Sequence, residues 1–230
     1  MPSTAHFASQ QDRGPHLEEF FHKLKSGEQQ RVVVYGTSLT AGGEWANATK
    51  RWFDAHYPHL VTFINSGGPG ENSDWGVANL ESKVLSHHPD LVFIEFSYND
   101  AHEKFEMPLE RGAENLNRMV NAIRSRNPGT SIVLQTMNVG WDAPNGNRSA
   151  SVRPHLQEFN DNYRRYAAAH GIPLLDHSLH WKKLKEDDAQ LFQSYVPDGS
   201  HPTPDASLAV TWPPIEAFLS ACHKSATQTS

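Results

Sequence analysis

A hydroxyl, a carboxylate and an imidazole occur near opposite ends of this 230-residue sequence at spacings that suit nucleophilic catalysis. Ser38 follows a glycine in a short turn, residues 35–43, where a nucleophile could face a cleft. Asp198 and His201 lie three residues apart in a proline-bounded turn. There the carboxylate could hold one ring nitrogen and leave the other free as a general base. Simpler interpretations exist, since Ser38 could cap the following helix and, among 14 histidines, a single one is more often structural.

Two further segments carry groups that could donate hydrogen bonds to an oxyanion. Segment 65–73 contains three glycines, whose backbone amides can approach a ligand closely. Asn99 follows the third apolar run, and its side-chain amide is a neutral donor. The alternatives are a flexible connector and an Asx turn at Asn99 and Asp100. No lysine follows the glycines at the spacing of a phosphate-binding loop, which excludes nucleotide hydrolysis of that type.

Five short apolar runs rich in β-branched residues have the length of buried strands. They occupy residues 31–35, 61–65, 90–96, 130–136 and 172–176. Amphipathic stretches typical of helices flank and separate them, at 15–25, 44–57, 74–87, 108–126 and 153–170, with a last helix after Pro204. Pro58, Pro89 and Pro128 mark three helix ends, because proline cannot continue a helix.

This alternation predicts an α/β fold, a three-layer α/β/α sandwich around a five-stranded parallel sheet. Strands joined by helices of this length must run parallel. In such sheets ligands bind outside the carboxyl ends of the strands. Ser38, the glycine segment and Asn99 follow the first, second and third strands, so we expect them at one rim of the sheet.

Composition argues against several classes of protein and partner. Lys+Arg 20 against Asp+Glu 26 gives a net charge of −6, and no basic cluster occurs, so we expect no nucleic-acid partner. Cys222 is the only cysteine, which excludes an intrachain disulfide and a cysteine-based zinc site. No run approaches the ~20 apolar residues of a membrane span, so we expect no membrane partner.

Length and the N-terminal residues lead to two further expectations. A chain of this size is expected to form one domain over 1–230, with its core at about 31–218. The polar first 13 residues contain no apolar signal region, so the chain as written is expected in the cytoplasm. A trimmed leader would instead place it in the periplasm or outside the cell.

The order of these segments resembles that of the SGNH (GDSL-type) hydrolases. Their residues are most similar to those of bacterial carbohydrate esterases. Segments 36–39, 65–70, 97–100 and 198–201 match the four family motifs. The resemblance extends from about Arg31 to Phe218. Two positions depart from the family pattern: Thr37 stands where the family usually has Asp, and Ser97 where it usually has Gly.

The resemblance implies a flavodoxin-like sandwich in which Ser38 is the nucleophile and Asp198 and His201 complete a catalytic triad. It also implies an oxyanion hole formed by the backbone amide of Ser38, by Gly70 and by Asn99. It calls for no metal and no organic cofactor. Within the glycine segment, Gly67 is the alternative to Gly70 as an oxyanion donor.

Aromatic and polar residues near the expected rim suggest the substrate. The candidates for substrate binding are Trp45, Tyr98, His102 and Trp141. Such a rim suits removal of acetyl or another small acyl group from a small-molecule or oligosaccharide ester. The alternatives are a lipase, arylesterase or thioesterase with the same residues, or a non-catalytic sugar-binding module. The histidines show neither H-x-H nor H-E-x-x-H spacing, which disfavours a metal hydrolase.

Overall fold

Five parallel strands form one sheet in the order β2-β1-β3-β4-β5 in the computed structural model, which describes residues 15–228. The strands are β1 Gln30–Gly36, β2 Val61–Asn65, β3 Leu91–Glu95, β4 Ser131–Thr136 and β5 Leu174–Asp176. Strand β1 lies between β2 and β3 and pairs in register with both, with Val33 opposite Ile64 on β2 and Val92 on β3. The sequence prediction of an α/β fold with a five-stranded parallel sheet is confirmed.

Eleven helices surround the sheet in the described part of the chain. They are α1 Pro15–Lys25, α2 Ser38–Ala41, α3 Glu44–His56, α4 Ser73–Lys83, α5 Ser97–Asp100, α6 Leu109–Arg126, α7 Leu156–His170, α8 His177–Asp187, α9 Ala189–Tyr195, α10 Pro204–Ala206 and α11 Trp212–Gln228. Short 3-10 turns occur at Leu85–His87 and Glu103–Phe105, and a π-helical turn, Ser207–Thr211, joins α10 to α11.

Alternate strand residues pack into two separate apolar layers, as expected for a sheet covered on both faces. Val32 and Val34 of β1 pack with α1, α3 and α11 on one face. Val33 and Tyr35 pack with α4, α6 and α7 on the other. A smaller cluster centred on Trp181 joins α8 and α9 to the segment after β4 and to the π-helical turn. These layers hold the carboxyl ends of β1, β2 and β3 side by side.

Several element boundaries differ from the sequence prediction. The predicted helix 74–87 ends at Lys83 and is followed by a 3-10 turn, and the predicted helix 153–170 begins only at Leu156. The last strand starts at Leu174 rather than at 172, after Pro173, which has no N–H to donate to a neighbouring strand. Helices α8 and α9 were not predicted, because the apolar residues of α8 are sparse among lysines and acidic residues and α9 has only seven residues.

None of the helices described between residues 15 and 228 has the length and apolar character to cross a membrane.

Candidate active site

Ser38, His201 and Asp198 form a continuous chain of hydrogen bonds, although Ser38 is separated from His201 by 163 positions in the sequence. The hydroxyl oxygen of Ser38 lies 2.9 Å from Nε2 of His201. Nδ1 of the same ring lies 2.7 Å from Oδ2 of Asp198. With Nδ1 protonated towards the carboxylate, Nε2 is free to accept the hydroxyl proton of Ser38.

The turn that carries Asp198 and His201 is held by its own backbone. Oδ1 of Asp198 accepts the backbone N–H groups of Ser200 at 2.8 Å and His201 at 2.7 Å. Partial burial alone would raise the pKa of Asp198, but the hydrogen bonds from His201 and Ser200 outweigh it, so the pKa lies below its ordinary value. The carboxyl is therefore ionised at neutral pH, as a partner of an imidazolium must be.

Residues 138–153, the crossing segment, hold this turn through backbone hydrogen bonds. The Asn147 N–H donates to the carbonyl of Asp198 at 2.6 Å, and the Trp141 N–H donates to the carbonyl of Gly199 at 3.1 Å. Gly199 has φ +87°, and a Cβ there would overlap the carbonyl oxygens of Asn147 and Trp141. Glycine is thus required where the two segments touch.

Glu95 at the end of β3 holds the turn that presents Ser38. Its Oε1 accepts the backbone N–H and the hydroxyl of Thr37, at 2.6 and 2.9 Å, and the hydroxyl of Thr40 at 2.7 Å. Burial raises the pKa of Glu95 to about 7, although the hydrogen bonds from Thr40 and Thr37 oppose the rise. A side chain at Gly36 would overlap the Glu95 carboxyl, so glycine is needed there. These contacts explain the threonine at position 37. Its hydroxyl donates to the carboxylate of Glu95, whereas the carboxylate of an aspartate there would be repelled by it.

The glycine segment, residues 65–73, contains two glycines whose backbone N–H groups differ in their hydrogen bonding. The Gly67 N–H is occupied, because it donates to Oδ1 of Asn65 at 3.0 Å. Gly70 has φ +78°, and its N–H has no acceptor among the described residues. The N–H of Ser38 is likewise without an acceptor in the described part of the chain. Two backbone donors are therefore available to a ligand, and Gly67 is not one of them.

Asn99 lies in α5, directly after β3, and is 5% exposed. One hydrogen of its side-chain Nδ2 is donated to the carbonyl of Glu71 at 2.8 Å, in the segment that follows Gly70. No acceptor for the other Nδ2 hydrogen is found among residues 15–228. The neighbouring Asp100 accepts the N–H of Ser73 at 2.8 Å, which joins the turn after β3 to the start of α4.

A cavity of about 350 Å³ opens beside Ser38 and His201. Its wall is formed mainly by the turn after β1, by Pro69 and Met137, and by the π-helical turn. Such a volume lies near the lower end of the range for small-molecule sites. No group of three His, Cys, Asp or Glu residues that could hold a metal ion is found in residues 15–228.

The aromatic residues expected at the rim take different positions. Trp45 is 1% exposed, and its indole N–H donates to the carbonyl of Leu39 at 2.8 Å. Trp45 is therefore too buried to stack on a sugar ring, but it lines the cavity beside Ser38, and its role in substrate binding stays a prediction. Tyr98 is 2% exposed, with its hydroxyl 2.6 Å from that of Ser149, so it is closed to substrate.

Trp141 and His102 remain partly exposed. The Trp141 indole donates to the carbonyl of Val196 at 2.6 Å, and its ring packs against the apolar cluster of α8 and α9, not against the cavity beside Ser38. Burial and the neighbouring Arg153 and Lys104 lower the pKa of His102 to about 4. This imidazole is therefore neutral at neutral pH.

Sequence reasoning assigned no role to Glu95 or to Arg153, both of which are buried beside the site. Glu95 could have been noticed, since a carboxylate ends an otherwise apolar strand whose residues are all buried. Arg153 gives no such signal, because it lies in an irregular segment among polar residues.

The chain is similar in sequence to known acyl hydrolases. Residues 34–207 match the model of the GDSL-like Lipase/Acylhydrolase family. An arylesterase of Vibrio mimicus is 29% identical over 188 residues, which is 79% of this chain and 84% of that protein.

Solved structures share the fold. A two-domain esterase active on acetylated mannans superposes with a TM-score of 0.69 at 22% identity, covering 90% of this chain and 53% of that one, so this chain spans about half of its length. A catalytic mutant of an acetylxylan esterase from Geobacillus stearothermophilus gives a TM-score of 0.68 at 16% identity, covering 83% and 94%. A lipase/acylhydrolase from Enterococcus faecalis gives 0.66 at 24% identity, covering 83% and 96%. At these identities the likeness concerns the fold.

Proposed function

Because the chain belongs to the GDSL-like lipase/acylhydrolase family, the SGNH hydrolases, and is a carboxylic ester hydrolase, we propose that it removes acetyl or another small acyl group from a carbohydrate through an acyl-enzyme on Ser38. His201 is the general base, and Asp198 orients the imidazole. The observation that carries the proposal is the 2.9 Å contact between the Ser38 hydroxyl and Nε2 of His201 at the mouth of a cavity.

The proposed reaction begins with attack of the Ser38 oxygen on the ester carbonyl while its proton moves to Nε2 of His201. Negative charge develops on the carbonyl oxygen. The free N–H groups of Ser38 and Gly70 and the remaining Nδ2 hydrogen of Asn99 stabilise this charge. The imidazolium then gives its proton to the leaving alcohol. Water, deprotonated by His201, hydrolyses the acyl-enzyme and restores Ser38.

A small acyl group is supported by the size of the cavity. About 350 Å³ must hold the acyl group and the start of the alcohol, and the wall includes the buried ring of Trp45. The carbohydrate is supported by likeness of fold to an esterase active on acetylated mannans and to an acetylxylan esterase. The alcohol side faces the exposed imidazole of His201, so a bulky polar leaving group can stay in water.

The first test compares hydrolysis of p-nitrophenyl acetate and p-nitrophenyl octanoate. We expect higher kcat/KM for the acetate, and a strong preference for the octanoate would reject the small-acyl assignment. Ser38→Ala is expected to abolish turnover and labelling by a fluorophosphonate. Ser86→Ala, at an exposed serine in the 3-10 turn Leu85–His87, serves as the matched control and should keep both.

The second test measures acetate release from acetylated manno- and xylo-oligosaccharides. We expect release from at least one of them with kcat/KM above that for phenyl acetate. The sequence relative named as an arylesterase favours a second candidate, an esterase for aryl acetates. Efficient cleavage of phenyl acetate with no release from either oligosaccharide would select this second function.

A further inference from the structure

Arg153 is a buried cation that contacts the segment of the proposed oxyanion donor Asn99. Its residue is 9% exposed, and the guanidinium lies 4.2 Å from the centre of the Tyr98 ring. Nε donates to the carbonyl of Tyr98 at 2.8 Å, Nη1 to the hydroxyl of Ser149 at 2.7 Å, and Nη2 to Oδ1 of Asn99 at 3.3 Å. Three donors of one planar group thus reach two parts of the chain, α5 and the crossing segment.

No carboxylate within the described residues forms an ion pair with Arg153. Other arginines of the molecule do pair, as Arg164 does with Asp176 at 2.7 Å. Burying a cation without a carboxylate is costly unless its N–H groups find acceptors. The acceptors that Arg153 finds include Oδ1 of Asn99, a side chain whose orientation matters for the proposed oxyanion binding.

The contacts of Asn99 define which way its amide points. A guanidinium can only donate, so the group facing Arg153 must be Oδ1. The carbonyl of Glu71 can only accept, so the group facing it must be Nδ2. Rotating the amide by 180° would place Nδ2 against the guanidinium of Arg153 and Oδ1 against the carbonyl oxygen of Glu71, and neither pair can form a hydrogen bond. The two partners together therefore keep the second Nδ2 hydrogen directed away from both, where a ligand can meet it.

Arg153 is itself anchored through Ser149. The hydroxyl of Ser149 lies 2.6 Å from that of Tyr98 and 2.8 Å from that of Ser200, which is next to His201. Ser149 and Ser200 are 0% and 3% exposed, so this network is closed to water. Buried and satisfied networks of this kind are rigid. The guanidinium is consequently fixed relative to both the turn of Asn99 and the turn of His201.

We propose that Arg153 is a positioning residue that fixes the side-chain amide of Asn99 for oxyanion binding. The inference rests on the proposed function. Arg153 does not touch the substrate; it acts by holding Oδ1 of Asn99, so that Nδ2 is in place before the charge develops.

The kinetic test is a double-mutant cycle with Arg153→Met and Asn99→Ala, measured with p-nitrophenyl acetate. Arg153→Met is expected to lower kcat by about 10- to 100-fold with KM nearly unchanged, since misplacing a catalytic group affects the transition state. In the Asn99→Ala background the same substitution should have almost no further effect on kcat. Equal factors in both backgrounds would overturn the proposal, because a merely structural role does not depend on Asn99.

Two further variants separate positioning from loss of folding. Arg164→Met removes a partly buried arginine of α7 that does not contact Asn99, and its kcat should stay near that of the wild type. Where Arg153→Met does not fold, Arg153→Lys keeps the charge without the planar fork. It should show the same dependence on Asn99 with a smaller loss of kcat.

A second readout does not require esterase activity. The side-chain amide signals of Asn99 can be assigned in a ¹⁵N NMR spectrum by their absence in Asn99→Ala. In Arg153→Met these signals should move towards the positions of a solvent-averaged amide, and in Arg164→Met they should stay. Unmoved signals in Arg153→Met would overturn the proposal. A wild type that hydrolyses no ester, with signals that move as expected, would instead reject the proposed function and keep the positioning role.

Discussion

Replacement of Glu95 by Gln is expected to change how the stability of the protein depends on pH. Gln has nearly the same shape, and its oxygen can accept the donors of Thr37 and Thr40 that reach Oε1 of Glu95. The substitution removes the ionisation and keeps the hydrogen bonds of the turn. Any difference in pH dependence between the two proteins then reports the buried carboxyl.

The sign and size follow from the pKa. Burial raises the pKa of Glu95 from 4.5 to about 7, so the folded protein binds this proton more tightly than the unfolded chain. The contribution to the free energy of unfolding is fully present below pH 4.5 and is lost as the pH rises through 7. Since one pKa unit corresponds to about 1.4 kcal/mol, the carboxyl removes about 2.5 kcal/mol between pH 5 and pH 8.

The measurement is urea unfolding of wild type and Glu95→Gln at pH 5 and pH 8. Relative to the wild type, the variant should gain about 2.5 kcal/mol in the free energy of unfolding between the two pH values. Asp100, whose pKa burial also raises to about 7, titrates in both proteins, and its negative charge contributes to the raised pKa of Glu95, so the difference reports Glu95 together with this interaction. Glu114→Gln, at an exposed position of α6, is the control and should follow the wild type. Parallel pH profiles for wild type and Glu95→Gln would refute the reasoning.

Three other expectations concern the same region. Asn99→Ala should lower kcat for p-nitrophenyl acetate by about 10²- to 10³-fold, the usual effect of losing one oxyanion donor, and unchanged turnover would remove Asn99 from the mechanism. Thr37→Asp should lower the free energy of unfolding by about 3 kcal/mol or more, because it places a second carboxylate beside Glu95. Thr37→Ser keeps the hydroxyl and should lower it little. Urea unfolding of the two variants measures this, and equal stability would contradict this account of the turn. Met137→Ala enlarges the cavity beside Ser38 and should raise the ratio of kcat/KM for p-nitrophenyl butyrate to that for the acetate by about tenfold. If this ratio does not change, the acyl group lies elsewhere.

The fold could be predicted from the sequence because its signals are local. Strands β1 to β4 are short runs with β-branched residues, and prolines such as Pro58 and Pro128 follow the helix ends before the next strand. Parallel pairing and layering then follow from connection length alone. The order of the motifs likewise led us to expect Ser38 and His201 at one rim, and they are in hydrogen-bond contact.

Other features depend on contacts between distant residues and could not be predicted in this way. The donors to Glu95 come from Thr37 and Thr40, which are 58 and 55 residues away. Arg153 reaches Asn99 across 54 residues. The burial of Trp45 is set by its packing near the π-helical turn, where its backbone N–H meets the hydroxyl of Ser207 at 3.0 Å. A residue's type indicates what it can bind, but only the folded chain determines which partner it meets.

The crossing segment 138–153 contains an exposed loop that would nevertheless tolerate redesign poorly. Its tip, residues 144–148, is exposed and would ordinarily be chosen for loop grafting. Yet the backbone of Asn147 is bonded to Asp198, and Gly146 packs against the same residue without room for a side chain. A graft at this tip would shift the carboxylate that orients His201. A graft disturbs the turn of His201 less at the 3-10 turn Glu103–Phe105, which has one backbone bond to the crossing segment, from Glu103 to Val152, and none to residues 198–201.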